Sequence, residues 1–372
     1  MQYSYKHHYV PEWYQKRFML KGQTAYYRLD LSPEIIKKPN GELFKKAEIL
    51  KKGPSKFFFE IDLYTTNYFG IKNDEIERIL FGEIDTKGAN AITAMSSPDW
   101  MELVHDHIIN YYEYLDAQRL RTPKGLNWLI QHANPKTYNQ LLMLMQRVRR
   151  MHCTMWVEAS MEIVEAKNSD IKFIVSDNPV TFYNSQFYPE NIKCQFPFDP
   201  ELSFQGTRTI FPLDLNHCAI LTHLQYARNP GKFKAVKPRT NPRYFDDSII
   251  MYDDIIRERQ LNEQQVLSIN YILKKRAARY IAAAKEEWLF PEKYLKKKDW
   301  ASLDKVFISK SKKLLGRDGE IFLADANGNL IATQDDFGRK PKSKEEWLAK
   351  QEQMRRMKQH VEKVLAKEKV KR

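Results

Sequence analysis

Cysteine is scarce in this sequence, since only Cys153, Cys194 and Cys218 occur among 372 residues. They are widely separated and form no CxxC pair, so the sequence indicates neither a disulfide framework nor a thiolate zinc site. No uncharged apolar run approaches the roughly 20 residues that span a bilayer. No apolar segment follows the first basic residue as a signal peptide would require. We therefore expect a cytoplasmic protein with no membrane partner.

The motifs of several enzyme classes are also missing. The sequence contains no GxxxxGK[ST], no HExxH, no GxSxG and no GxGxxG after a strand. These absences remove the usual support for ATP hydrolysis, zincin chemistry, an α/β-hydrolase and dinucleotide binding. We expect no nucleotide cofactor.

Positive charge is in excess, with 61 Lys and Arg against 47 Asp and Glu, a net charge of +14. More than half of the excess lies between Arg339 and Arg372, so the rest of the chain is only mildly basic. An excess of this sign favours a polyanionic partner such as nucleic acid.

Hydrophobic periodicity predicts an α+β fold. We expect a mainly helical body with a small antiparallel sheet in residues 1–290, followed by a basic accessory segment in residues 291–372. Helices are predicted at 73–95, 100–119, 136–166 and 262–288. Strands are predicted at 24–31, 171–175, 180–183, 208–213 and 218–222. The accessory segment should contain a hairpin around Asn327-Gly328 and a terminal helix.

Several segments carry a family resemblance. His7-His8-Tyr9-Val10-Pro11, continued by Trp13-Tyr14 and Arg17-Phe18, resembles the opening of the bacterial family called domain of unknown function 4238. Further matching segments follow in order: Leu63-Tyr64-Thr65, the helix from Glu77 to Asp85, Leu120-Arg121-Thr122-Pro123, Phe173 to Pro179, Phe211-Pro212-Leu213, Asn270 and Ala277 to Tyr280. The resemblance covers roughly residues 5–285. It indicates which residues to examine and implies no particular reaction.

The chain departs from the family pattern in two places. Asp85 stands where a second glutamate is expected after Glu77, and its side chain is one methylene shorter. The last 80 or so residues look like an extension beyond the family core.

Histidine and carboxylate side chains are ordinary ligands of divalent cations. We predict that His8, Glu77, Asp85 and Asp177 bind Mg²⁺ or Mn²⁺. His7 and His8 are adjacent, so in an extended segment they face opposite sides, and His7 is expected to orient the site. Glu77 and Asp85 differ by about 80° on a helix and can converge on one cleft.

Asp177 and Asn178, with His8, are the predicted catalytic residues. They follow a buried strand, where polar side chains are held rigidly at a sheet edge. The alternative is a turn, in which both side chains bond to nearby backbone. Asn270 lies on an apolar helix face and must find partners, either at Asp177 or in purely structural bonds.

The other candidates also have structural alternatives. Glu77 and Asp85 would otherwise form a solvated face paired with Arg78 and Lys87, and the two histidines would simply pack. Arg119 and Arg121 are predicted to hold the substrate, although cations at a helix end also complement the helix dipole. In the terminal helix, an apolar stripe is formed by Trp347, Met354, Met357, Val361 and Val364. That helix either binds nucleic acid through its lysines or docks on the body, a second copy or a partner protein.

Together these residues favour a metal-assisted nuclease or phosphoesterase acting on nucleic acid, in which the cation activates water. The bacterial family suggests phage defence or a toxin system. The alternative is a non-enzymatic component that binds nucleic acid or a partner protein.

Overall fold

Helices α2 (Gly82–Ser96) and α3 (Trp100–Leu120) pack against each other in the computed structural model. Their close approach depends on Gly88, because a Cβ at this position would lie 2.1 Å from Cδ2 of Tyr114. The structure describes residues 4–228, 230, 245, 255–257, 259–311, 314, 320–335 and 340–370.

A π-helical segment, Ile76–Phe81, leads directly into α2. Helix α4 (Pro123–Ala133) follows α3 at once, because Pro123 occupies its first turn and the Thr122 hydroxyl accepts the Gly125 N–H at 3.0 Å. The remaining helices are α1 (Glu12–Lys16), α4 (Pro123–Ala133), α5 (Tyr138–Arg147), α6 (Cys153–Trp156), α7 (Leu224–Arg228), α8 (Glu263–Arg276), α9 (Pro291–Tyr294) and α10 (Lys344–Val370). Short 3₁₀ turns occur at Pro54–Lys56, Ile192–Cys194, Glu286–Leu289 and Ala301–Phe307.

The strands form two four-stranded and four two-stranded antiparallel sheets in the described part of the chain. They are β1 (Lys6–His8), β2 (Tyr26–Asp30), β3 (Ile35–Lys37), β4 (Leu43–Lys45), β5 (Ile49–Lys52), β6 (Phe59–Ile61), β7 (Thr66–Tyr68), β8 (Ile71–Asn73), β9 (Ala159–Glu165), β10 (Val175–Ser176), β11 (Thr181–Tyr183), β12 (Arg208–Pro212), β13 (His217–His223), β14 (Tyr280–Ala283), β15 (Glu320–Ala324) and β16 (Leu330–Asp335). The larger sheets have the orders β10-β14-β2-β5 and β11-β12-β13-β9. The α+β prediction is confirmed, with more sheet than expected.

One large apolar cluster joins these sheets to the helices, and it extends past the predicted boundary at residue 290. Trp300, Leu303 and Phe307 belong to it. The indole of Trp300 donates to the Asn184 carbonyl at 2.9 Å. The chain therefore continues to pack on the body through residue 307.

Two predicted helices are too long. The helix predicted at 136–166 ends at Arg147, and Ala159–Glu165 is strand β9, paired with β13. Every residue of β9 is buried, so it lacks the alternating pattern that identifies a half-exposed strand. The helix predicted at 262–288 ends at Arg276, and Tyr280–Ala283 forms β14 between β10 and β2.

The predicted C-terminal hairpin and helix are confirmed as β15, β16 and α10. Lys350 on α10 pairs with Glu320 on β15 at 2.6 Å, and Trp347 and Met354 are half-buried. Met357 and Val361, from the same predicted stripe, are exposed, and the side chain of Val364 lies outside the described part. Only part of the stripe is therefore covered by this chain.

Candidate functional site

Glu77, Asp85 and Arg121 lie together where α2 meets the C-terminal end of α3. Asp85 Oδ1 is 2.8 Å from Arg121 Nη2, and the charges of Arg121 and Asp85 both act on Glu77. Glu77 stands in the π-helical segment, a rare element that is frequent at functional sites. Glu77 and Asp85 are thus close enough for their charges to interact, although the segment that carries Glu77 is π-helical and not the α-helix that was expected. We call these three residues the Glu77 site.

Arg121 is held rigidly although its side chain is only 1% exposed. Its Nε and Nη2 donate to Gln118 Oε1 at 2.9 and 2.6 Å. The guanidinium also lies 5.1 Å from the ring centre of Phe81 and 5.7 Å from that of Tyr114. Nη1 has no hydrogen-bond partner among the described residues. One buried donor of Arg121 is thus available to a further acceptor.

The two carboxyl groups share a single guanidinium, so negative charge is in excess. Burial raises the pKa of Glu77 to about 7, with Arg121 lowering it, Asp85 raising it and the backbone N–H of His8 lowering it. Burial also raises the pKa of Asp85, against the opposing effect of Arg121. Glu77 Oε2 has no hydrogen-bond partner in the described part of the chain. Such a site favours either a proton or a cation near neutral pH.

The alternative of a solvated acidic face is wrong for Glu77 and Asp85. Arg78 pairs with Asp74 at 3.6 Å, and Lys87 pairs with Glu83 at 2.6 Å. Both basic residues on this helix face are therefore occupied elsewhere.

His8 reaches the Glu77 site through its backbone and not through its imidazole. The His8 ring lies 5.7 Å from the Phe59 ring centre, and Nε2 is 3.5 Å from Glu12 Oε1. Burial lowers the pKa of His8, and the charge of Glu12 raises it. The His8 imidazole therefore contacts Phe59 and Glu12, and not the residues with which it was predicted to bind a metal.

His7 is fully buried and points the other way, as expected for adjacent residues of a strand. The Tyr64 N–H donates to His7 Nδ1 at 2.9 Å, so Nε2 carries the hydrogen and donates to the Ser4 carbonyl at 2.9 Å. Tyr64 stacks on His7, and its hydroxyl donates to the Arg121 carbonyl at 2.6 Å. His7 therefore helps to position the backbone of Arg121 through Tyr64.

Asp177 is buried and contacts backbone. Its Oδ1 accepts the Ala278 N–H at 2.8 Å, and its Oδ2 accepts those of Arg279 at 2.6 Å and Tyr280 at 2.8 Å. These are the contacts of a carboxylate that holds the end of α8 and starts β14. The turn alternative predicted bonds to nearby backbone, whereas the N–H groups that bond Asp177 lie 101 to 103 residues away along the chain.

Asn178 and Asn270, the two candidate amides, are both fully buried. Asn270 accepts from the Ile174 N–H at 3.3 Å and donates to the Lys172 carbonyl at 2.9 Å, which fixes the segment before β10. These are structural bonds, and they do not reach Asp177. Asn178 differs, because neither Oδ1 nor Nδ2 has a hydrogen-bond partner among the described residues.

Arg119 does not join Arg121. It pairs instead with Asp199 at 3.5 Å, and Lys124 contacts the same carboxylate at 2.7 Å. Residues two apart on a helix face different directions, so the two predicted substrate residues belong to different surroundings.

Within the described residues, no group of three or more His, Cys, Asp or Glu side chains is arranged to hold a metal ion. The structure therefore does not bring His8, Glu77 and Asp177 together as one ligand set. Glu77 and Asp85 remain as a carboxylate pair, and Mg²⁺ is often bound through one or two carboxylates completed by water and substrate.

Sequence reasoning missed several residues of this region. Gln118 and Tyr64 bind Arg121, and Asp116 bonds to His152 at 2.6 Å. The contact between Gln118 and Arg121 could have been predicted, because Gln118 precedes Arg121 by three residues on a helix. The sequence contained no pattern that indicated the pairing of Asp116 with His152, since 36 residues separate them.

Comparisons with known proteins add no relative. No protein-family model matches the chain, and no curated protein and no solved structure matches it either. The resemblance to domain of unknown function 4238 stays a prediction. In the described part of the chain, no helix has the length and apolar character needed to cross a bilayer.

Proposed function

We propose that this protein is a divalent-cation-dependent phosphodiesterase that acts on nucleic acid. The observation that carries the proposal is the Glu77 site, where two carboxyl groups and one buried guanidinium converge and the pKa of Glu77 is raised to about 7. Glu77 and Asp85 would each give one oxygen to Mg²⁺ or Mn²⁺, and water would complete the shell.

The proposed reaction is hydrolysis of a phosphodiester. A cation held by Glu77 and Asp85 would supply an activated water and would neutralise charge on the phosphate. Attack of water on phosphorus would break the bond to the leaving oxygen, with the proton of the water released to solvent and the leaving oxygen taking up a proton from solvent. The free Nη1 of Arg121 would donate to a non-bridging oxygen, whose negative charge grows in the transition state. The backbone N–H of His8 would keep Glu77 in place.

Support for a nucleic-acid substrate comes from charge. The chain carries a net +14, and a cavity of about 520 Å³ beside α8 is lined by Lys274, Lys275 and Lys298 together with Glu292. Ala278, which donates to Asp177, lies in the same wall. Asp177 would thus support a surface that contacts the phosphate backbone.

A cleavage assay with fluorescent single- and double-stranded DNA and RNA tests the proposal, with Mg²⁺, Mn²⁺ or EDTA. We expect cation-dependent cleavage that falls at least 100-fold in Glu77→Gln and Asp85→Asn. Glu83→Gln is the matched control, because Glu83 lies on the same helix but is exposed and paired with Lys87. Full activity in Glu77→Gln, or no cleavage by the folded wild type, would contradict the proposal.

Cation binding supplies a second readout. Glu77 must release its proton to bind a cation, so affinity should rise about tenfold per pH unit below pH 7 and level off above it. Calorimetric titration with Mn²⁺ at pH 5.5, 6.5 and 7.5 measures this. Affinity that does not change with pH would remove Glu77 from the ligand set.

The alternative is a non-enzymatic component that binds nucleic acid or a partner. It is favoured by α10, whose exposed apolar residues Met357 and Val361 lie among basic residues. Binding that weakens steeply with salt, without turnover in any cation, would support it. Truncation after residue 339 separates the two, because it should lower affinity and leave turnover at saturating substrate unchanged.

A further inference from the structure

A second cavity, of about 270 Å³, lies at the end of α3 beside Arg119. Its lining includes Arg119, His152, Trp128 and Phe182, together with the acidic residues Asp199 and Glu201. We call it the Arg119 cavity. None of these residues belongs to the Glu77 site.

Arg119 brings an incompletely neutralised charge to this cavity. Its side chain is 3% exposed, and neither Nε nor Nη1 has a hydrogen-bond partner among the described residues. The guanidinium lies 5.2 Å from the ring centre of Phe182 and 5.9 Å from that of Trp128. Contacts with two rings hold it in place, so its free donors stay buried at the cavity.

The ion pair with Asp199 does not fully neutralise the positive charge of Arg119. Lys124, Arg119 and Arg276 all lower the pKa of Asp199, so three buried cations act on one carboxylate. Asp116, the other buried carboxylate nearby, bonds to His152. Of these charged residues, Arg119 and Asp199 line the cavity together with Glu201, so an anion would bind at the free donors of Arg119 and not to a general surplus of positive charge.

His152 offers a second polar group. Its Nδ1 donates to Asp116 Oδ1 at 2.6 Å, and Asp116 also accepts the backbone N–H of Arg150. Nδ1 is thus fixed by Asp116, and Nε2 is the ring nitrogen left for a ligand of the cavity that His152 lines. An imidazole that donates to a carboxylate through Nδ1 presents Nε2 in a fixed direction.

The rest of the cavity wall is flat and apolar. The rings of Trp128 and Phe182 line it, with Met151, Met155 and Leu202. Glu201 and Ser203 stand at the rim, where the Ser203 hydroxyl donates to Glu201 Oε2 at 2.9 Å. Aromatic and thioether side chains of this kind suit the face of a planar ring.

We propose that the Arg119 cavity binds a nucleoside monophosphate, with the phosphate at Arg119 and His152 and the base against Trp128 and Phe182. A phosphate monoester supplies several acceptor oxygens for the free donors, and a nucleobase supplies the flat ring. The group has two sources, a free nucleotide or the 5′-phosphorylated end of a strand. The proposal is independent of cation chemistry at Glu77.

Calorimetry with adenosine 5′-monophosphate tests the proposal on the full chain. We expect one site per chain, with adenosine and inorganic phosphate each at least tenfold weaker than the nucleotide. Equal affinity for adenosine or for inorganic phosphate, or no binding at millimolar nucleotide, would overturn it.

Two variants locate the site without removing the buried arginine. His152→Asn keeps a donor for Asp116 and removes Nε2, and Ser203→Trp fills the rim. Each variant should remain folded and bind the nucleotide at least tenfold more weakly, while Glu77→Gln should bind like the wild type. Unchanged affinity in both variants would overturn the proposal.

A third arm identifies the source. A 5′-phosphorylated tetranucleotide that binds more tightly than the free nucleotide would support a strand end, and one that binds more weakly would support a free nucleotide. A 5′-hydroxyl tetranucleotide that binds as tightly as its phosphorylated form would overturn the role given to the phosphate.

Discussion

Arg119 and Arg121 end the same helix, are equally deeply buried, and yet lie in opposite electrostatic surroundings. Arg121 faces two carboxyl groups whose pKa values are raised, so its side of the helix has too much negative charge. Arg119 shares Asp199 with two other cations, so its side has too much positive charge. The ratio of carboxylates to cations, and not burial, decides which ligand each side favours.

The largest effect should come from removing the carboxylate on the cationic side. Asp199→Ala leaves three buried cations without their partner and should lower the free energy of unfolding by about 4 kcal/mol. Asp85→Ala should cost about 1 kcal/mol, because Asp85 already stands among excess negative charge. Urea unfolding of both variants measures the difference. Equal losses would break the comparison.

The next largest effect is a dependence of the free energy of unfolding on pH, which arises from the ionisation of Glu77. Its pKa is about 7 in the folded state against 4.5 as the reference, so between these values the folded chain holds a proton that the unfolded chain has lost. Stability should therefore fall as pH rises through this window, by up to about 3 kcal/mol, and Glu77→Gln should remove that fall.

The experiment is urea unfolding of the wild type and Glu77→Gln from pH 4 to 8. Glu77→Gln should be the more stable protein at pH 8 and lose its advantage near pH 4. Glu83→Gln is the control, since Glu83 is exposed and its pKa is lowered by Lys87. Parallel pH curves for wild type and Glu77→Gln would show that Glu77 is ionised without penalty.

Asp177 sharpens the comparison, because backbone N–H groups and not cations contact its carboxylate. Asp177→Asn keeps one acceptor oxygen and turns a donor towards an N–H, so we expect a loss of about 2 kcal/mol. Circular dichroism during urea unfolding measures it. A fully stable variant that loses nuclease activity would restore Asp177 as a catalytic residue.

The smallest effect concerns the support of Arg121. Tyr64→Phe removes the hydroxyl that donates to the Arg121 carbonyl and should cost about 1 kcal/mol. Cleavage should fall only a few-fold, because Gln118 still holds the guanidinium. A loss as large as that of Glu77→Gln would mean that Tyr64 itself contacts substrate.

Local spacing explains what could be predicted from the sequence. Helical spacing allowed Glu77 and Asp85 to converge, although the segment that carries Glu77 is π-helical. The opposite directions of His7 and His8 follow from strand geometry. Both inferences depend only on residues within one segment.

What failed depends on distant partners. The helix predicted beyond Arg276 is broken because Asp177 takes the N–H groups of residues 278–280, about 100 residues along the chain. The strand β9 looked helical because burial on both faces erases its alternation. The Asp116 and His152 pair likewise exists only once α3 and α6 are packed.

Gly88 determines how narrow the Glu77 site is. In an exposed helix, replacing glycine by alanine usually stabilises by about 1 kcal/mol, but here the added methyl group would meet the ring of Tyr114. The helix carrying Asp85 would have to shift outward, away from Arg121. Substitutions at this one position would therefore widen the gap between Asp85 and Arg121, and the size of the cation that the proposed site could take would change with it.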